Sequence, residues 1–163
     1  MDESQVKPAA QGLPSWGLWL GLSLLTIALS AWMRIRSPGW YLLIFGIGLC
    51  GLTLVHPVVH AIGARRAGIH RRKMQVVLLV SDLIFMLGFG FQVDYGDAPG
   101  GGYMAFQSFA YQVFLGKPGP AVPEDAAGIY FGLAGGSLLG LAASWVVILI
   151  LTSRSPRLQV AKE

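Results

Sequence analysis

The chain has 163 residues, enough for one domain, with 54% hydrophobic and only 12% charged residues. A water-soluble domain carries about 25% charge, so this deficit excludes an ordinary soluble fold and makes lipid the solvent for most of the chain. The net charge of +4 does not imply nucleic acid, because the basic residues lie in short segments between apolar runs, where membrane orientation needs them.

In chain order, residues 1–13 are polar, lack periodicity and read as a tail. The first apolar run spans residues 16–33, long enough to cross a hydrocarbon core of about 30 Å, with Trp16, Trp19 and Trp32 near its ends. Ala28-Leu29-Ser30 resembles a signal-peptide cleavage site. The preceding segment sets one Lys against Asp2 and Glu3, whereas a signal peptide needs net positive charge there, so retention of the span is the expectation. A turn at Arg34–Gly39 leads to a second span over 40–64, which contains Cys50, the single cysteine. One cysteine excludes an intramolecular disulfide and a CxxC motif, and the apolar surroundings predict a packed thiol. A basic turn carries Arg65, Arg66, Arg71, Arg72 and Lys73, followed by a third span over 74–91. The loop 92–125 contains an aromatic segment, Tyr103–Phe114, too short to span and too apolar for a solvated loop. It is predicted to be a short helix at the membrane surface. A fourth span covers 126–152, and a basic tail covers 153–163.

The predicted fold is therefore an all-α integral membrane protein, a bundle of four transmembrane helices with a short interfacial helix in the long loop. Nine of the twelve Lys and Arg fall on one side of this topology and three on the other. By the positive-inside rule both termini and the basic turn are cytoplasmic, and a bacterial inner membrane or its equivalent is the expected location. The turn suffices as a topology determinant. It could also bind anionic lipid headgroups or a cytoplasmic partner, with each cation near the surface worth about 1 kcal/mol.

The ionisable residues inside the spans are the candidates for chemistry. His56 and His60 are four apart and share a helix face, and Asp82 is expected at the depth of His56 on the next, antiparallel helix, within hydrogen-bonding reach. Pro57 should bend the second helix and free a carbonyl near residue 53, which Thr53 and Ser81 could help to satisfy. Two histidines on one helix face cannot both be axial ligands of one haem. The cluster reads first as a polar clasp between helices, then as a site for protons, a quinone headgroup or a metal ion. No cofactor is assigned, and the site is read without a metal. There is no nucleophile-base pair, metalloprotease motif or phosphate-binding loop, and Asp82 is the sole acid within a span, which argues against a membrane hydrolase.

The fourth span repeats small residues every four positions at Gly128, Gly132, Gly136, Gly140 and Ser144, a groove into which a second helix can pack closely. The first expectation is that the neighbour is the chain's own first or third span, and Gly17 and Gly21 give the first span a shorter small face of its own. The other is a second copy or a partner membrane protein. These features predict a non-catalytic accessory or structural subunit of a larger membrane complex. The alternative is a small redox or transport protein using the His/Asp cluster.

Overall fold

A computed structural model describes residues 16–36, 40–94 and 102–154. The expected tails, apart from Ser153 and Arg154, and the breakers Ser37, Pro38 and Gly39 lie outside these residues, as do Gly100 and Gly101. Among the described residues the chain forms five helices: α1 (Trp16–Arg36), α2 (Trp40–Arg65), α3 (Arg71–Gly90), α4 (Ala105–Leu115) and α5 (Glu124–Ser153). Among the described residues, three segments are long and apolar enough to cross a membrane: Trp16–Ile35, Arg71–Gly90 and Asp125–Ser153. At 1.5 Å per residue even the shortest reaches about 30 Å, the thickness of a hydrocarbon core. Large apolar side chains, including Leu18, Leu54, Val76, Ile129 and Leu139, point outward from these helices and α2. Such faces are costly in water and neutral in lipid.

α2 and α3 are joined by a tight reversal. Gly68 has φ 47°, a left-handed conformation that a residue with a Cβ rarely adopts, and opens a 3-10 turn at Gly68–His70. α3 then starts at Arg71, so Arg71, Arg72 and Lys73 form its first helical turn and Arg65 the last of α2. The basic cluster thus belongs largely to helix ends, where the sequence placed it in a loop. α1 likewise continues through Arg34 to Arg36, and the Arg34 side chain is buried, whereas a turn had been expected there.

α3 is the central element, packed chiefly on α5 and also on α1, while α1 packs along α2. One core cluster comprises Trp19, Val59, Ala64, Ala67, Met74, Leu78 and Ile148. A second comprises Phe85, Phe89 and Leu141. Gly63 makes the close approach of α2 to α5 possible: a Cβ there would stand 2.8 Å from Ile148 Cγ2.

Two strands of two residues, Val93–Asp94 and Tyr103–Met104, pair antiparallel, with Val93 opposite Met104. A further bridge joins Gly102 to Val122. This small platform, which the sequence reading did not anticipate, buries Val93, Met104 and Val122 under the start of α5. α4 is held against α1 by an edge-on contact of Trp32 and Phe109 at 5.1 Å. It ends at Gly116, whose φ of 63° lets the Gly116 and Lys117 amides donate back to the Gln112 and Tyr111 carbonyls. Phe106, Tyr111 and Phe114 remain exposed along it.

Candidate functional site

The polar residues of α2, α3 and α5 meet in one seam. α2 presents His56 and His60 one turn apart, with ring centroids 4.2 Å from each other. Both side chains are fully buried, and Asp82 of α3 is 5% exposed. His56 Nε2 lies 2.9 Å from Asp82 Oδ1, and His60 Nδ1 lies 3.7 Å from the same oxygen. One potential ligand atom from each of the three residues falls within 4.8 Å of the others. The matched depth of two antiparallel helices, counted from the ends of a short turn, brings His56 and Asp82 together.

A fourth residue completes the arrangement. Trp145 of α5 places its indole Nε1–H 3.2 Å from His56 Nδ1. Indole nitrogen only donates, so Nδ1 accepts and the imidazole proton sits on Nε2, which donates to Asp82. His56 is thereby held as the neutral Nε2–H tautomer between a donor and an acceptor. Its ring also stacks on Phe85 at 4.5 Å, and Phe85 stacks on Phe89 at 4.5 Å, so the imidazole has little freedom to turn. Sequence reasoning missed Trp145. It is separated by 89 positions from His56. The usable signal was chemical, since a buried indole N–H needs an acceptor.

His60 and Asp82 are incompletely satisfied. Neither ring nitrogen of His60, nor Asp82 Oδ2, has a hydrogen-bond partner among the described residues. A clasp requires His56, Asp82 and Trp145. It does not require His60.

Thr53 and Ser81 act differently from the expectation. The Thr53 hydroxyl donates to the Cys50 carbonyl at 2.7 Å rather than serving the carbonyl of residue 53, and Ser81 accepts from the Ser144 hydroxyl of α5 at 3.0 Å. α2 continues as a helix across Pro57. Cys50 is exposed where a packed thiol was expected, because the apolar run around it includes an outward face.

The small-residue row of α5 divides in two. Ser144 is buried against Ser81, and a Cβ on Gly140 would touch Ile84 at 3.6 Å, so this end packs on α3. Among the described residues, a Cβ on Gly128, Gly132 or Gly136 would meet no atom within 4 Å. The same holds for Gly17 and Gly21, so among the described residues α3, one of the two expected neighbours, meets this row at Gly140 and Ser144, and the small face of α1 does not.

Arg65, Arg66, Arg72 and Lys73 are exposed and Arg71 is half-buried. Arg65 lies over the Trp16 ring at 4.0 Å, which ties the end of α2 to the start of α1. Arg72 and Lys73 flank an open groove walled by Val76, Val77, Val147 and Leu151. Cations at the N-terminus of α3 oppose its macrodipole, each at a cost of about 0.3–1 kcal/mol, so helix stability is not what they serve.

Comparison with protein-family models, with curated proteins and with solved structures finds no match to this chain.

Proposed function

We propose that the chain is a four-span membrane protein serving as a non-catalytic accessory subunit of a larger membrane complex. In this reading α2, 26 residues long, is the fourth span beside the three apolar helices. The open face at Gly128, Gly132 and Gly136 carries the reading, because no side chain among the described residues fills it. In lipid, helices gain most where small residues let backbones approach, and an unfilled row of them is a place for an apolar helix of another protein. The basic ends of α2 and α3 then face the cytoplasm, in an inner membrane or its equivalent, with Arg72 and Lys73 above an apolar groove suited to an anionic phospholipid.

Purification from the native membrane in mild detergent, followed by mass spectrometry, tests this. A different membrane protein in fixed ratio, lost on Gly132→Leu or Gly136→Leu, is the expected result. A second copy alone, or the same partner retained by both variants, would overturn the subunit reading.

A second reading, a small redox or transport protein working through the His/Asp cluster, is favoured by one observation. His60 and Asp82 Oδ2 are buried polar groups that the clasp leaves without partners, and such groups inside a membrane are by default functional candidates.

A further inference from the structure

We propose that His56, His60 and Asp82 form a binding site for a single divalent transition-metal ion of the zinc type. The inference is independent of the subunit reading. The donor set is two imidazoles and one carboxylate from adjacent helices, each able to offer one ligand atom within 4.8 Å of the others. In a tetrahedral site with bonds of about 2.0–2.1 Å, neighbouring ligand atoms stand about 3.3 Å apart. The two distances to Asp82 Oδ1, 2.9 Å from His56 Nε2 and 3.7 Å from His60 Nδ1, bracket that value. The adjustment to the metal geometry falls to His60, whose ring no hydrogen bond holds among the described residues.

The unpartnered atoms supply a second, independent reason. His60 Nδ1 and Nε2 and Asp82 Oδ2 are buried acceptors or donors with nothing to bond among the described residues. Asp82, when ionised, is a buried anion whose nearest polar neighbours are two imidazoles. A cation between these groups satisfies the carboxylate and one nitrogen of His60 together. The mixed nitrogen and oxygen set favours zinc and its first-row neighbours over calcium or magnesium, which take oxygen ligands. The seam is closed around the residues, with both histidines fully buried, so an ion fits where a quinone ring would have to part α2, α3 and α5.

Binding has a structural consequence. A metal on His56 Nε2 displaces the proton to Nδ1, where it faces the Trp145 indole N–H now 3.2 Å away. Two donors cannot share that contact, so metal entry releases Trp145 from His56 and transfers Asp82 from His56 to the ion. The clasped and metal-bound arrangements are alternatives, and α5 carries the difference. The three protein ligands leave one tetrahedral position for water or another small ligand.

The test uses the full chain purified in detergent and titrated with Co2+, which reports tetrahedral coordination by its visible absorption. The expected result is one Co2+ per chain, displaced by Zn2+, with a change in indole fluorescence that Trp145→Phe removes. His60→Leu is expected to weaken binding by at least about 100-fold, since losing even an outer partner of a ligand costs about 10–100-fold. His60 takes no hydrogen bond among the described residues, so without metal that variant should keep the parent's thermal unfolding. Asp82→Asn should weaken binding similarly and serves as the second variant. Failure to bind Co2+ or Zn2+ stoichiometrically would overturn the proposal. So would binding unchanged in His60→Leu, which would place the ion elsewhere, for example at His70.

Discussion

His56 and Asp82 are joined by a 2.9 Å hydrogen bond across α2 and α3, with the imidazole donating and the carboxylate accepting. Because Trp145 occupies the other nitrogen of His56, three helices converge on one ring. Removing either member of the pair should be unequal in cost. His56→Leu leaves a buried carboxylate without its donor and should destabilise by about 3–5 kcal/mol unless Asp82 takes up a proton. Asp82→Leu leaves only a neutral imidazole N–H unsatisfied, at about 1–3 kcal/mol. The double variant should be less damaged than the sum, with a coupling of about 0.6–2 kcal/mol. A double-mutant cycle of unfolding in detergent measures this, and strict additivity would exclude the clasp.

His60 should behave in the opposite way. With no hydrogen bond to lose, His60→Leu is expected to leave stability unchanged in metal-free protein or raise it by about 1 kcal/mol, as a buried polar group without a partner is removed. Unfolding midpoints of parent and variant at equal detergent concentration decide it. A marked loss would mean that His60 has a structural partner.

The tautomer of His56 is directly observable. Nitrogen-15 resonances in metal-free protein should show Nε2 protonated and Nδ1 bare. Trp145→Phe should allow the two tautomers to mix and cost about 0.5–1.5 kcal/mol, the net value of one hydrogen bond. A bare Nε2 in the parent would contradict the donor and acceptor order of the seam.

Glycines on the two sides of the bundle should respond differently to added bulk. Gly63→Ala drives a Cβ to 2.8 Å from Ile148 and should destabilise by about 1–3 kcal/mol through overpacking. Gly132→Ala meets no atom within 4 Å among the described residues and should leave the isolated chain within about 0.5 kcal/mol of the parent. Circular dichroism during heating compares them, and equal effects would show that the open face is in fact filled.

Local chemistry made much of this legible. The lengths of the apolar runs place spans at 16–33, 74–91 and 126–152, and helices are found at Trp16–Arg36, Arg71–Gly90 and Glu124–Ser153, because a hydrocarbon core sets how many helical residues it takes to cross it. The four-residue spacing places His56 and His60 on one face, and a short turn places Asp82 at the depth of His56, because helix rise and antiparallel pairing follow from chain geometry alone. The segment Tyr103–Phe114 reads as a short surface helix because it is too short to span and too apolar for a solvated loop, and a helix is found at Ala105–Leu115.

Which face each helix turns inward is a different matter, and only the tertiary structure decided it. In water the polar face of a helix points out and the sequence announces its rotation. In lipid the surroundings are as apolar as the core, so that announcement is missing. Hence Cys50 faces outward although its neighbours are apolar, Gly128, Gly132 and Gly136 meet none of the described residues while Gly140 and Ser144 pack inside, and Trp145 rather than a nearer residue reaches His56. The residues of the seam are written in the chain; their meeting depends on how α5 is rotated against α2 and α3, which close packing settles and polarity along the chain does not.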